Sequence, residues 1–166
     1  CRRHHRMSLR SDEQRQYARL IESALNPGPP LLAGAAAGLG KTHGYSLPLL
    51  RSGRRVAIAM STRQLITQYL ESDALRTALA GHACSVVALQ TRAAFDTEAL
   101  YREHRQAALS AQVLVLTHAA ALTDSLHPGY ADLRQRDVVL FDEADLLADA
   151  ADLRSSFRTE VGELAA

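Results

Sequence analysis

Two short segments of the sequence carry residues whose types and spacing can do chemistry. The first is Ala35-Ala36-Ala37-Gly38-Leu39-Gly40-Lys41-Thr42: a small residue, four variable positions, then Gly-Lys-Thr. Gly38 and Gly40 free the backbone to turn so that successive N–H groups, those around Ala35 and Leu39 included, point inward at an anion. The start of a following helix would add its partial positive charge. Lys41 would then reach the β- and γ-phosphates of a nucleotide, and the Thr42 hydroxyl would hold a magnesium ion. The second segment is Asp142-Glu143-Ala144-Asp145, directly after the apolar run Val138-Val139-Leu140-Phe141. Asp142 is suited to magnesium, usually through a water, and Glu143 to orienting and deprotonating an attacking water. Alone, such acids merely suit the start of a helix. Downstream of a phosphate loop they point to nucleotide hydrolysis, with Lys41, Asp142 and Glu143 as the candidate catalytic residues.

Those residues need a scaffold, and the apolar pattern supplies one. From Ser11 to Asn26 the residues Tyr17, Leu20, Ile21 and Leu25 share a helical face, with Ser11 as cap and Pro27-Gly28-Pro29-Pro30 as terminator. A short apolar run, Leu31 to Gly34, leads into the phosphate loop, and a helix is expected from Lys41 to about Arg51. Further apolar runs span 55–60, 84–89, 113–116 and 138–141, with helical stretches starting near Thr62 and covering Phe95 to Leu109. Five short apolar runs separated by helices predict a doubly wound α/β domain with a parallel sheet buried on both faces, the architecture of P-loop NTPases. The ligands of such folds gather at the C-terminal ends of the strands, where both chemical segments fall.

Composition narrows the class further. The chain has 166 residues, 47% hydrophobic and 22% charged, with 19 Lys and Arg against 18 Asp and Glu. This is one globular domain with a real core and no overall basic signature for nucleic acid. No apolar run approaches the roughly 18 residues of a membrane span, so no membrane partner is expected. Cys1 and Cys84 are too few for a disulfide framework or a four-thiolate cluster. Residues 1–10 read as a basic N-terminal arm in which the adjacent His4 and His5 are more simply solvated than metal-bound. Residues 11–166 read as the domain itself, and a cytoplasmic location is expected, with the nucleoid if the source is bacterial.

Four segments together resemble the first motor lobe of a superfamily 2 helicase, and within it the DinG/XPD branch. Gln14, in Asp12-Glu13-Gln14-Arg15-Gln16-Tyr17, stands upstream of the phosphate loop like the adenine-reading glutamine of that family. Gly34 to Leu50 is similar to the family's phosphate loop, with the Tyr45-Ser46-Leu47-Pro48 tail of its helix. Val113 to Leu122 is similar to a strand ending in Asn-His, with Thr117 in place of the asparagine, and Asp142 to Ala151 to the acidic box and its helix. The resemblance implies a RecA-like, ATP-binding lobe that hydrolyses ATP with magnesium as part of a DNA helicase or translocase. It implies single-stranded DNA and a second RecA-like lobe, carrying an arginine finger, as partners. Ser61 and Thr62, and Thr117 and His118, fall where such motors touch the nucleic-acid backbone. The sequence also departs from the pattern. Asp145 replaces the usual histidine, Gly34-Ala35-Ala36-Ala37 replaces Glu-Ala-Gly-Thr, and the four-cysteine iron–sulfur insertion has no counterpart. No second-lobe motif follows the acidic box, so a single lobe is expected, inactive or nearly so by itself. Cluster-lacking relatives include helicases linked to type IV CRISPR systems, which would make a ribonucleoprotein effector complex a partner; other cluster-free relatives fit these residues equally.

Several readings stay open at this level. Ser11 and Gln14 also form a capping box, Thr62 is equally an N-cap, and His118 is suited either to nucleic acid or to packing against the acidic box. Tyr45 is expected to pack. Two rival functions remain: a nucleotide-binding structural module of a larger nucleoprotein assembly, and another P-loop ATPase such as a ring-forming one. Glu143 speaks against the first, and Gln14 with the acidic-box helix against the second.

Overall fold

The computed structural model describes residues 11–36 and 38–151. The basic arm at 1–10 with His4 and His5, Ala37 of the phosphate loop, and the end of the expected domain at 152–166 lie outside the described residues. The chain forms two compact units, Cys1–Arg54 with Tyr69–Cys84, and Arg55–Gln68 with Ser85–Ala166.

In the first unit, helix α1 (Asp12–Ala24) begins at Ser11, whose Oγ accepts from the Gln14 amide at 3.1 Å. Its buried residues are Gln14, Ala18 and Ile21, one stripe at helical spacing. The expected apolar face is therefore turned: Leu20 is exposed, and Gln14 takes a place in the buried row. Helix α2 (Lys41–Arg51) packs on α1. Gly44 makes that contact possible, since a Cβ there would come within 2.6 Å of the Tyr17 ring. The run Leu31 to Gly34 is not a strand. It holds three apolar residues, none β-branched, behind two prolines that cannot donate to a ladder, and Leu32 is 89% exposed. Helix α3 (Arg63–Leu70) starts beside Thr62, where a helical stretch is expected, and stops at Leu70. Ser72 ends it and begins α4 (Asp73–Leu79): its hydroxyl donates to the Tyr69 carbonyl at 2.6 Å and accepts from the Leu75 amide at 3.2 Å. Tyr45 is fully buried, its ring 6.2 Å from that of Tyr69, while Ser46 Oγ donates to Tyr69 Oη at 3.3 Å.

The second unit holds the sheet. Strands β1 (Val56–Met60), β2 (Val86–Ala88), β3 (Val113–Thr117) and β4 (Val138–Phe141) are all parallel, in the order β2-β3-β1-β4. Val56 pairs with Val113 on one side and Val138 on the other, so β1 lies between β3 and β4. Every residue of β1 is buried, as is β3 up to Leu116, which is why both read as unbroken apolar runs. Small residues make the core tight: Ala57 and Ala59 of β1 cluster with Leu114, Leu116 and Ala131, with Ala108 of α5 (Glu98–Ser110) and with Ala121 of α6 (His118–Leu126). Helix α5 starts after Thr97, whose hydroxyl accepts from the Leu100 amide at 3.2 Å; the residues ahead of it, Arg92–Ala94, form a 3-10 turn. Asp124 fastens the connection to β4 by accepting from the amides of Ala131 (2.7 Å), Asp132 (3.0 Å) and Leu133 (3.1 Å). Among the described residues no helix is long and apolar enough to cross a membrane.

Arg136 closes the end of α5. Only 7% exposed, it donates from Nη1 to Ala111 O (2.6 Å) and from Nη2 to Leu109 O (2.9 Å) and Ala108 O (3.2 Å). Burial pushes the guanidinium pKa below its ordinary value; nearby Arg55 adds to this and Asp132 opposes it. These are the last carbonyls of a helix, which have no partner of their own. Arg136→Met should keep the stem and strand those carbonyls, lowering stability by about 2–4 kcal/mol in a denaturant melt. A midpoint and slope equal to the parent's would show that water replaces the guanidinium at no loss.

Candidate functional site

In the first unit the phosphate-loop residues form a turn into a helix. The Leu39 amide donates to Ala36 O at 3.3 Å, and Gly38 (φ 80°) and Gly40 (φ 77°) are left-handed. Gly40 is the N-cap of α2 and provides no side-chain cap, so no side chain is spent there on the first amides of α2, as an anion site requires. Lys41 and Thr42 occupy the first turn, both half-buried, and that turn carries no acid. Ala35 and Leu39 are half-buried beside it. Gln14 is joined to this loop: its Nε2 donates to Gly40 O at 3.0 Å while the residue is 5% exposed. Glycine is required at position 40 twice over, since a Cβ would run into the Gln14 amide and the φ is one that L side chains rarely adopt.

In the second unit the remaining candidates collect at the C-terminal edge of the sheet. Ser61 follows β1, Thr117 ends β3, and Asp142 and Glu143 follow β4. The Asp142 amide donates to Ala59 O at 2.9 Å, extending the β1–β4 ladder by one residue. Glu143 is exposed and left-handed, φ 53° and ψ 51°, a conformation that costs a non-glycine residue about 1 kcal/mol or more. Its amide donates to Asp142 Oδ1 at 3.1 Å, and Ser61 Oγ donates to Glu143 Oε2 at 2.7 Å. Asp145 is exposed in the following 3-10 turn, Ala144–Leu146.

His118 is fully buried. Its Nε2 lies 2.9 Å from Asp142 O; a carbonyl can only accept, so Nε2 carries a hydrogen there. Its ring lies 5.9 Å from that of Phe141, and its Nδ1 is buried with no hydrogen-bond partner. Of the two places open to His118 in the sequence, the structure puts it against the acidic box and gives it no surface for nucleic acid. Thr117 Oγ1 accepts from the Ala120 amide at 3.1 Å and Thr62 Oγ1 from the Leu65 amide at 3.2 Å, so both hydroxyls cap the helices that follow them. Arg63, next in the chain, donates from Nη2 to Thr91 Oγ1 at 3.3 Å on the same unit.

Each unit offers a hard oxygen donor of the kind magnesium takes, the Thr42 hydroxyl in the first and the Asp142 carboxylate in the second, for an ion that keeps several waters and takes phosphate oxygens as well. Among the described residues there is no group of three or more His, Cys, Asp or Glu that could hold a metal ion.

Comparison with known proteins agrees with this layout. The family model described as DEAD/DEAH box helicase matches residues 13–165. The chain is similar to the ATP-dependent DNA helicase YoaA of Escherichia coli (strain K12), 36% identical over 62 residues, which is 37% of this chain and 10% of that protein. It is also similar in structure to a hypothetical ATP-dependent RNA helicase from Sulfolobus tokodaii, with a TM-score of 0.58 and 22% identity over 87% of this chain and 45% of that one. The fold is thus RecA-like, a parallel sheet flanked by helices. The chain spans a tenth of the length of YoaA and less than half of the Sulfolobus tokodaii chain.

Proposed function

The chain belongs to the DEAD/DEAH box helicase family, and from there we propose that it is the ATP-binding and hydrolysing first lobe of a DinG-like DNA helicase or translocase. One observation carries the nucleotide reading: two left-handed glycines deliver the chain into the uncapped start of α2, with Lys41 and Thr42 in its first turn. Lys41 would meet the β- and γ-phosphates, the first amides of α2 the same anion, and Gln14 would brace Gly40 and reach toward the base. Asp142 and Thr42 would hold magnesium, which supplies charge neutralisation on the phosphates when bound. Glu143 would orient and deprotonate the water.

Family membership sets aside a ring-forming ATPase. DNA is favoured over RNA by the similarity to a protein described as a DNA helicase, YoaA; the DinG-like segments after residue 11 point the same way. The lack of an iron–sulfur cluster, a second lobe with an arginine finger, and a place in a ribonucleoprotein effector complex belong to this proposal. So does the division into a basic arm at 1–10 and a motor lobe from 11. The test is ATPase activity of the full-length protein titrated with single-stranded DNA and, separately, with RNA of equal length. DNA should stimulate turnover more than RNA, and the 166-residue chain alone should show little of it, because a partner arginine typically contributes about 10³–10⁵ in rate. Equal turnover with and without any strand would overturn the helicase reading in favour of a nucleotide-binding structural module.

A further inference from the structure

Ser61, one of the expected strand contacts, stands at a junction between the start of α3 and the acidic segment of the second unit. It follows β1 and immediately precedes Thr62, the cap of α3, so a strand lying on the start of α3 would meet its hydroxyl. That hydroxyl is already engaged: Oγ donates to Glu143 Oε2 at 2.7 Å. Glu143 is exposed, with a left-handed backbone that neighbours must hold in place. It is held by its amide, which donates to Asp142 Oδ1 at 3.1 Å, by its carbonyl, which accepts from the Leu146 amide at 2.9 Å, and by its side chain, which accepts from Ser61.

A serine hydroxyl has one hydrogen to give. Whenever a backbone phosphate takes it, Glu143 loses it, so the two bonds exclude each other. We propose that Ser61 is a latch: a positioning residue that holds the Glu143 carboxylate while no strand lies at the start of α3, and releases it when a strand phosphate claims the hydroxyl. The inference rests on the reading of Glu143 as the water-activating base and of Ser61 and Thr62 as strand contacts. So held, the carboxylate is tied to the end of β1 and cannot turn toward a water. Release frees it to turn, and hydrolysis becomes strand-dependent through a single exchanged hydrogen bond.

The experiment compares the full-length protein with its Ser61→Ala, Ser61→Thr and Glu143→Gln variants, with ATPase rates measured alone and with a poly(dT) or poly(U) oligonucleotide. Ser61→Ala should raise the strand-free kcat about threefold or more and shrink the stimulated-to-basal ratio by a similar factor, with the KM for ATP within about twofold of the parent. Ser61→Thr, which keeps the hydroxyl, should bring the ratio back to within about twofold. A residue with a merely structural part would lower both rates together. A strand-free rate that is unchanged or lower in Ser61→Ala overturns the latch, as does lost stimulation fully accounted for by weaker oligonucleotide binding in an anisotropy titration. Those results leave the reading of Glu143 standing as long as Glu143→Gln abolishes turnover. Near-parental turnover in Glu143→Gln would instead remove that reading, and the latch with it.

Discussion

Glu143→Gln in the full-length protein should bind ATP as the parent does and hydrolyse it at least about tenfold more slowly, since a positioned general base contributes about 10²–10⁴ in rate. The substitution is close to isosteric. The glutamine carbonyl can still accept from Ser61 Oγ, and the left-handed backbone at position 143 asks the same of either side chain. Asp142, whose Oδ1 accepts from the amide of residue 143, keeps that bond. What goes is the carboxylate that takes the proton of the attacking water. The expected signature is therefore a split: unchanged affinity in an equilibrium titration with a fluorescent ATP analogue, and a collapsed single-turnover rate. Turnover near the parental level would mean that another group activates the water, and the assignment of Glu143 would fall.

Why the sequence displayed the loop but not its companions follows from range. The phosphate loop, the cap at Ser11, the span of α2 and the runs of β1, β3 and β4 are local patterns, and each emerges within a residue or two of its expected place. The segment from Leu31 to Gly34 has the right composition for a strand start but lacks length and β-branching, so apolarity alone misled. The division of α3 from α4 was written in Ser72, whose hydroxyl accepts from the Leu75 amide and so caps α4. The bond between Ser61 and Glu143 joins residues 82 apart, and it exists because β1 and β4 are neighbours in the sheet. Nothing in either local stretch encodes that adjacency. Gln14 lies between these cases: its place upstream of the loop is a sequence feature, while its bond to Gly40 O depends on how α1 packs against α2.

Lys41→Ala should weaken ATP binding by roughly 10- to 150-fold, the equivalent of losing a charge-assisted contact worth about 1.5–3 kcal/mol. Lys41 sits in the first turn of α2, half-buried, where no acidic residue of that turn competes for its charge. Folding should not confuse the outcome. Alanine is the best helix former, Gly40 still caps α2, and the contact of Gly44 with Tyr17 is one turn away and unchanged, so the melting midpoint should hold within a degree or two. Binding should fall without vanishing, because the uncapped start of α2 still favours an anion. The remaining affinity should also depend less steeply on salt, since one fixed positive charge has gone from the site. Calorimetric titration of the full-length protein with a non-hydrolysable ATP analogue at two salt concentrations reads both effects. An affinity equal to the parent's, in a variant that melts like the parent, would show that Lys41 does not touch the phosphates, and the loop would then lose its claim as the nucleotide site.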